Sequence, residues 1–352
     1  VLKNSAVLLL FLLFISCGTK NKEYANNVFP YSQFPQEKEL KGEVIELDTA
    51  LFRYPFRIRI EGDKAIVLDL HGSDYYGHLF QYPSFRYLSS FGRRGDSPLE
   101  MLSMENFRLH NHTLWTLDAN KSELTRLDFS SSGDSLLREE TVALDEDILR
   151  PLDFAIYNDT TFVIPDYSGE SRFLKVDCKG KLIEKIGTIP TTNKKALQEA
   201  RPALAQAWRS FLDYNSHNSV LATVTQLGEV VEIYNLKDST HVIRVGEYDE
   251  PEFKVSDGYG IPTGIMGFSD VQVTDDAIYA VFHGTSFKDI ARQSGRLSDG
   301  GKYIYVFSLK GEPLCKYVLD HYIYGIWVDE VTKTIMATDV NNDQPILKFS
   351  FG

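Results

Sequence analysis

Two groups of residues in this chain have the types for binding chemistry. The first is Asp74, Tyr75, Tyr76, Arg93, Arg94, Asp166, Tyr167 and His283, with His71, Asn341 and Asn342 near them in sequence. All fall between segments with strand-like alternation, which places them on loops. Function concentrates on loops because a rigid scaffold can stand beneath them. Tyrosine rings beside Arg and Asp suit a sugar or a peptide, although any one of these residues could also be an ordinary solvated loop residue. The second group is Asn106, Asp153 and Asp270, each just before or at the start of an apolar segment. If those segments line a common channel, the three oxygens could converge on a Ca²⁺ ion. Hydrogen bonding at the strand starts is the competing reading. No G-x-S-x-G, H-E-x-x-H or G-x-x-x-x-G-K-[ST] pattern is present, so the commonest catalytic signatures are missing. Gly258-Tyr259-Gly260 lacks a following helix and Lys, and reads as a turn.

A further candidate is Cys17. Lys3 precedes an unbroken apolar run, Ala6–Ile15, and Ser16-Cys17 ends it. Ten apolar residues are too few for a bilayer core of about 30 Å, and the pattern is that of a secretory signal. Phe14-Ile15-Ser16-Cys17 resembles the lipobox of bacterial lipoproteins, with Phe14 where Leu is more usual. That resemblance implies cleavage before Cys17 and lipidation of its thiol. An ordinary secretory signal with a chance cysteine is the alternative. Gly18 after the cysteine, by the same resemblance, favours the outer membrane and leaves its side undecided. Residues 1–16 are therefore expected to be a signal peptide. Residues 17–40, polar and carrying Pro30 and Pro35, are expected to be a tether. Cys178 and Cys315 fall in different repeats and outside any zinc-type spacing, so neither a disulfide nor a metal site is expected of them.

These residues need a scaffold, and composition bounds it. The formal charge is −12 with no Lys/Arg cluster. That argues against nucleic acid, whose phosphates require basic contacts, and against a polybasic membrane surface. Aromatic residues make up 12% of the chain, and such side chains suit half-buried pleated surfaces.

One turn signature recurs: an apolar strand, a small polar residue, a Lys/Gly/Ser turn and another strand. It occurs at Leu127–Ser131, Val176–Gly180, Tyr234–Asp238 and Phe307–Gly311. Each copy sits in a unit of four alternating segments, and the last unit, ending at Phe351, has only three. Gly42–Asp48 is a strand without a sequence neighbour. It can supply the missing fourth strand and close a ring, removing the exposed sheet edges of an open array. Residues 41–352 then give about 52 residues per unit for six units, near the length of known propeller repeats. The expectation is an all-β, six-bladed β-propeller closed by an N-terminal strand, with an open β-sandwich, two β domains or a seven-blade ring as the alternatives.

Two stretches fall outside the blades. In Asn193–Ser210 and Phe211, Leu197, Leu204, Trp208 and Phe211 share one helical face. Pro202 would kink that helix or start a second one. The helix is expected to cover the rim or to form a partner-binding face. The other stretch, Gly284–Gly301, carries Lys288, Asp289, Arg292 and Arg296 inside the fifth unit.

Val44–Leu47, Pro55-Phe56-Arg57-Ile58, Ile66-Val67-Leu68-Asp69 and Phe85–Gly95 resemble the TolB-like six-bladed propeller lipoproteins of Bacteroidetes. The stretch Phe91-Gly92-Arg93-Arg94-Gly95-Asp96-Ser97-Pro98-Leu99-Glu100 is the most characteristic piece, and is also similar to the linker between blades of NHL-type propellers. The resemblance implies fold and lipoprotein character and brings no agreed activity. TolB itself is a protein-binding propeller. Some six-bladed lactonases hold a channel ion, but blade one here has Pro55-Phe56-Arg57 where a Glu would be needed. The leading expectation is a lipid-anchored envelope module that binds a protein, peptide or glycan on its loop face and has no cofactor. The rivals are a channel-metal hydrolase or lyase and a purely structural lipoprotein.

Overall fold

The computed structural model describes residues 26–48, 52–293 and 297–352; Cys17 and Arg296 lie outside these. Six antiparallel sheets stand around a central channel. Blade one is Pro55–Glu61, Lys64–Asp69, Tyr75–Gln81 and Arg86–Arg93, from the channel outwards. Blades two, three and four start at Met104–His110, Ala155–Asn158 and Ser210–Asn215, and blade five at Phe268–Val273. Blade six has Ile326–Asp329, Thr334–Thr338 and Ile346–Ser350, and its outermost strand is Glu43–Ile45 from the N-terminus. That strand pairs antiparallel with Ile346–Ser350, Val44 opposite Leu347, so the ring closes as the sequence predicts.

Second strands lie between neighbouring blades, with both faces covered. Val220–Thr225 and Ala277–Phe282 are buried at every position, which is why they read as near-continuous apolar runs. Outermost strands such as Leu136–Ala143 are largely exposed and polar. The recurring small polar residue has a local cause. Asp177 accepts from the Lys179 and Lys181 amides, Asn235 from Lys237 and Asp238, and the Ser308 hydroxyl from Lys310 and Glu312. Each side chain holds its own turn closed.

The expected tether needs correcting. Val28–Pro30 adds in parallel to the outer edge of blade four, Val28 opposite Ile243. Glu37–Leu40 adds in parallel to blade five, Glu37 opposite Lys316. Residues 28–45 thus form a strap across three consecutive blades. The exposed edges of blades four and five offer unpaired backbone groups, and even a polar segment can satisfy them.

The insertion between blades three and four is two helices, α1 (Lys194–Glu199) and α2 (Arg201–Ala207). Asn193 caps the first, and Pro202 stands in the first turn of the second. Leu204 and Trp208 are buried against Val230, Ile243 and Val245, so the pair covers the rim. The sequence did not foretell the hairpin Phe253–Ser256/Tyr259–Pro262, whose Gly260 amide donates to Gln206 Oε1 of α2 at 2.9 Å. Within the Gly284–Gly301 insertion lies α3 (Phe287–Arg292), capped by Ser286.

Candidate functional site at the loop-face mouth of the channel

The innermost strands turn one backbone edge towards the channel, where no further strand can pair with it. Buried side chains fill that need. Asp153 accepts from the Leu212 amide of blade four, Asp213 from Val273 of blade five, and Asp270 from Ile326 of blade six. Arginines take the carbonyls. Arg59 donates to Ile58 and Ile326, and Arg108 to Phe107 and Leu212. The same groups neutralise one another: Arg108 lies 2.7 Å from Asp153, Arg59 2.9 Å from Asp270, and Arg57 3.2 Å from Asp270 and 3.9 Å from Asp153. Burial alone would raise the Asp270 carboxyl; Arg57 and then Arg59 hold it below the usual range. Burial brings the Arg57 guanidinium down to about 10.

The metal candidates therefore have other partners. Asn106 donates its amide to Asp153, and arginines surround Asp153 and Asp270. Positive charge at this centre comes from the chain itself. No group of three His, Cys, Asp or Glu among the described residues is placed to hold a metal ion. The sequence signal for the plug was Arg57 and Arg59 alternating with Phe56, Ile58 and Ile60 in one strand, which sends charge to one face.

Above the plug, the Phe56 and Phe211 rings close the channel, 5.8 Å apart, with Arg57 beneath both at 5.3 and 4.9 Å. Over this floor opens a mouth of about 490 Å³. Its walls include Tyr54, His71, Tyr76, Arg94, Glu105, Arg209, Gln226 and Tyr324. They come from blades one, two and four and from the link between blades five and six. Loops between second and third strands and loops between blades share this face, which is why they meet.

The predicted loop residues divide. Arg94 lies flat on the Tyr76 ring at 3.8 Å and donates to the Leu70 carbonyl, while its Nε has no hydrogen-bond partner. Tyr76 donates to the Leu102 carbonyl at 2.6 Å. Arg94, Tyr76 and His71 reach the mouth. Arg93 points to solvent, 70% exposed, with Glu100 at 3.5 Å. Asp74 supports the wall through its carbonyl, which accepts from the Arg94 amide, and Tyr75 is exposed beside it. The Phe91–Glu100 stretch makes a tight loop. Gly95 has φ +156°, and a Cβ there would meet the Glu100 carboxylate at 1.9 Å.

Asp166 is buried and accepts from Ser168 and from both the amide and the hydroxyl of Ser171, so it holds a turn. Tyr167 lines an adjoining cavity of about 210 Å³ with Leu149, Leu152, Arg209 and Tyr259. Its hydroxyl is buried without a hydrogen-bond partner, and burial pushes its pKa up to about 12. His283 is buried against the Tyr324 ring at 5.5 Å, and burial brings it down to about 4 despite Asp299 nearby. It lies behind the wall and remains neutral at physiological pH. Asn341 ties Asp339 to Asp299, which in turn accepts from the Tyr54 hydroxyl, and Asn342 donates to Asp339. Tyr54, Glu105, Arg209, Gln226 and Tyr324 escaped the sequence reading because only ring closure brings them together. Arg209 sits 3.6 Å from Glu105 between the mouth and the adjoining cavity.

Fold and site together define a six-bladed propeller with a plugged channel and an open, aromatic and cationic mouth on its loop face. The family of TolB-like 6-blade propeller-like proteins matches residues 33–331, and the chain belongs to it. Three solved structures share the fold. A putative exported protein from Bacteroides fragilis is 12% identical, with 92% of this chain and 98% of that one covered at a TM-score of 0.54. A duf4221-family member from Bacteroides vulgatus is 10% identical, with 90% and 96% covered at 0.54. An auxiliary nutrient binding protein from Bacteroides ovatus is 10% identical, with 85% and 70% covered at 0.53. No curated protein matches the chain.

Proposed function

We propose that this protein is a binding module of the bacterial cell envelope, held by lipid on Cys17, and that it engages a protein or peptide partner with its loop face. One observation carries the reading. The mouth of about 490 Å³ opens among exposed apolar side chains of the same face: Leu99 is 78% exposed, Leu149 53%, Tyr259 59% and Leu102 43%. Isolated exposed apolar residues are ordinary, but a set of them around a concave mouth marks a surface awaiting cover. Arg and Tyr in such a place are the residue types that carry most binding energy. A putative exported protein and an auxiliary nutrient binding protein among its structural neighbours agree with this setting. The signal-like segment before Cys17 agrees with a lipid anchor at the outer membrane.

Site-specific photocrosslinking in the envelope tests the reading. A crosslinker at Tyr259 or Leu99 is expected to trap one discrete protein adduct, lost when Arg209 is also changed to Ala. A crosslinker at Val331, 94% exposed on the opposite face, is expected to trap none. Equal adducts from both faces would overturn the proposal. A glycan that binds the purified protein and is lost in Arg209→Ala would replace the protein partner with a sugar.

A further inference from the structure

A second cavity lies outside the ring, where the strap crosses the seam between blades four and five. It holds about 320 Å³ and is lined by Tyr31, Phe34, Tyr248, Tyr305, Glu37, Glu229, Glu247 and Lys316, with Ser32 and Gln33. Its inner wall is aromatic. Phe34 packs on Tyr305 at 4.7 Å and on Tyr31 at 5.6 Å, and Tyr31 stands edge-on to Tyr305 at 6.5 Å. Tyr248 is 47% exposed at the rim.

The carboxyl at its base lacks a counterion, and burial raises its pKa although the Tyr248 amide and the Tyr31 hydroxyl oppose that. Glu229 is 3% exposed, and no Lys, Arg or His among the described residues pairs with it. Its oxygens accept from the Tyr31 hydroxyl at 2.8 Å and the Tyr248 amide at 3.1 Å. Gly246 makes room for it: a Cβ there would meet the carboxyl carbon at 1.9 Å. The cation lining the cavity, Lys316, is engaged with Glu37 at 3.0 Å and with the Tyr303 ring at 4.7 Å. Glu247 adds a second negative charge at the opening. Tyr305, 8% exposed, lines the cavity with a hydroxyl that has no hydrogen-bond partner among the described residues.

Burying a carboxylate without a counterion is costly. Holding Tyr31 would need only a neutral acceptor, which a Gln would supply without that cost. Electron-rich ring faces around a buried carboxylate are complementary to a soft cation, which they attract through the ring quadrupole. We propose that this cavity binds a small organic ammonium ion, primary or quaternary. The ion enters past Tyr248, places its charge against Glu229 and packs its alkyl groups on the aromatic wall of Tyr31, Phe34 and Tyr248. The strap supplies Tyr31 and Phe34, so an occupied cavity also fastens the strap to the ring.

The test uses tetramethylammonium chloride as the probe, at constant ionic strength, with tert-butanol as a neutral control of similar shape. Calorimetry or tyrosine chemical shifts are expected to show saturable binding of the cation and none of the alcohol. Glu229→Gln keeps the acceptor for Tyr31 and removes the charge; it should weaken binding at least about tenfold, because the desolvated charge contact is lost. Tyr248→Ala, at an exposed position that leaves the fold intact, should weaken it by a few-fold. Absence of saturable binding, equal response to the alcohol, or unchanged affinity in both variants would overturn the site.

Discussion

Asp270 joins three blades through one carboxylate. It faces Arg57 and Arg59 of blade one and caps the Ile326 amide of blade six from its own place in blade five. Asp270→Ala would leave two buried guanidinium groups without their carboxylate and the Ile326 and Val271 amides without their side-chain acceptor. Breaking a buried pair in this way costs about 3–5 kcal/mol. Asp63, 67% exposed beside Lys64, is the control: Asp63→Ala should leave the melting midpoint nearly unchanged. The pH dependence has a definite sign. Asp270 is held below the ordinary carboxylate range when folded, so its contribution is complete near neutrality and is lost as pH falls through that low folded value. Denaturant melts should therefore show a steeper acid limb for the native protein than for Asp270→Ala. Parallel acid limbs would mean that the carboxylate is not what joins the blades. At this scale the sequence revealed Asp153 and Asp270 as channel residues but not their partners. A strand that alternates arginine with apolar residues reads as half-solvated, and only a closed ring turns its polar face inward.

At the scale of elements, the strap divides into parts that differ in what they protect. Glu43–Ile45 completes blade six, and without it Ile346–Ser350 becomes an open edge beside blade one. Val28–Pro30 and Glu37–Leu40 cover blades four and five, which already have four strands each. Truncation to residue 41 should therefore lower the melting temperature and leave a monomer. Truncation to residue 49 should produce aggregation, because an unpaired edge is a template for another chain. Size-exclusion chromatography with thermal melts compares the two; equal behaviour would mean that ring closure does not depend on Glu43–Ile45. The closing strand was legible because Val44, Ile45 and Leu47 have no partner within the N-terminal sequence. The other two strands were not. Glu37-Lys38-Glu39 is exposed at all three positions, so no burial pattern marks it, and its pairing depends on an edge 279 residues away at Lys316. The blades themselves could be read because turns such as Asp177–Gly180 carry their own side-chain caps, whereas the hairpin at 253–262 leans on α2 and has no core of its own.

For the whole molecule, the direction of the strap orients the propeller on its proposed anchor. Thr240–Val245 runs towards the loop face, since residues 246–267 follow it and bring Gly258 and Tyr259 to the cavity beside the mouth. Val28–Pro30 lies parallel to that strand, so Asn26 and Asn27 enter it from the opposite, hairpin-turn face. Asn27 stands ten positions after Cys17, a reach of at most about 35 Å. The proposed lipid on Cys17 would thus hold the turn face and the rim of blade four towards the bilayer and present the mouth outward. The distance is short enough to measure. In a Cys178→Ser background, a dye on Val331→Cys of the turn face should be quenched more strongly by a headgroup quencher than a dye on Tyr259→Cys of the loop face. Cys17→Ala should abolish quenching at both positions, because nothing else in the acidic surface attracts an anionic bilayer. Stronger quenching at Tyr259 than at Val331 would mean that the mouth faces the membrane and that its ligand is to be sought among lipids. Quenching that persists in Cys17→Ala would remove the lipid from the account altogether.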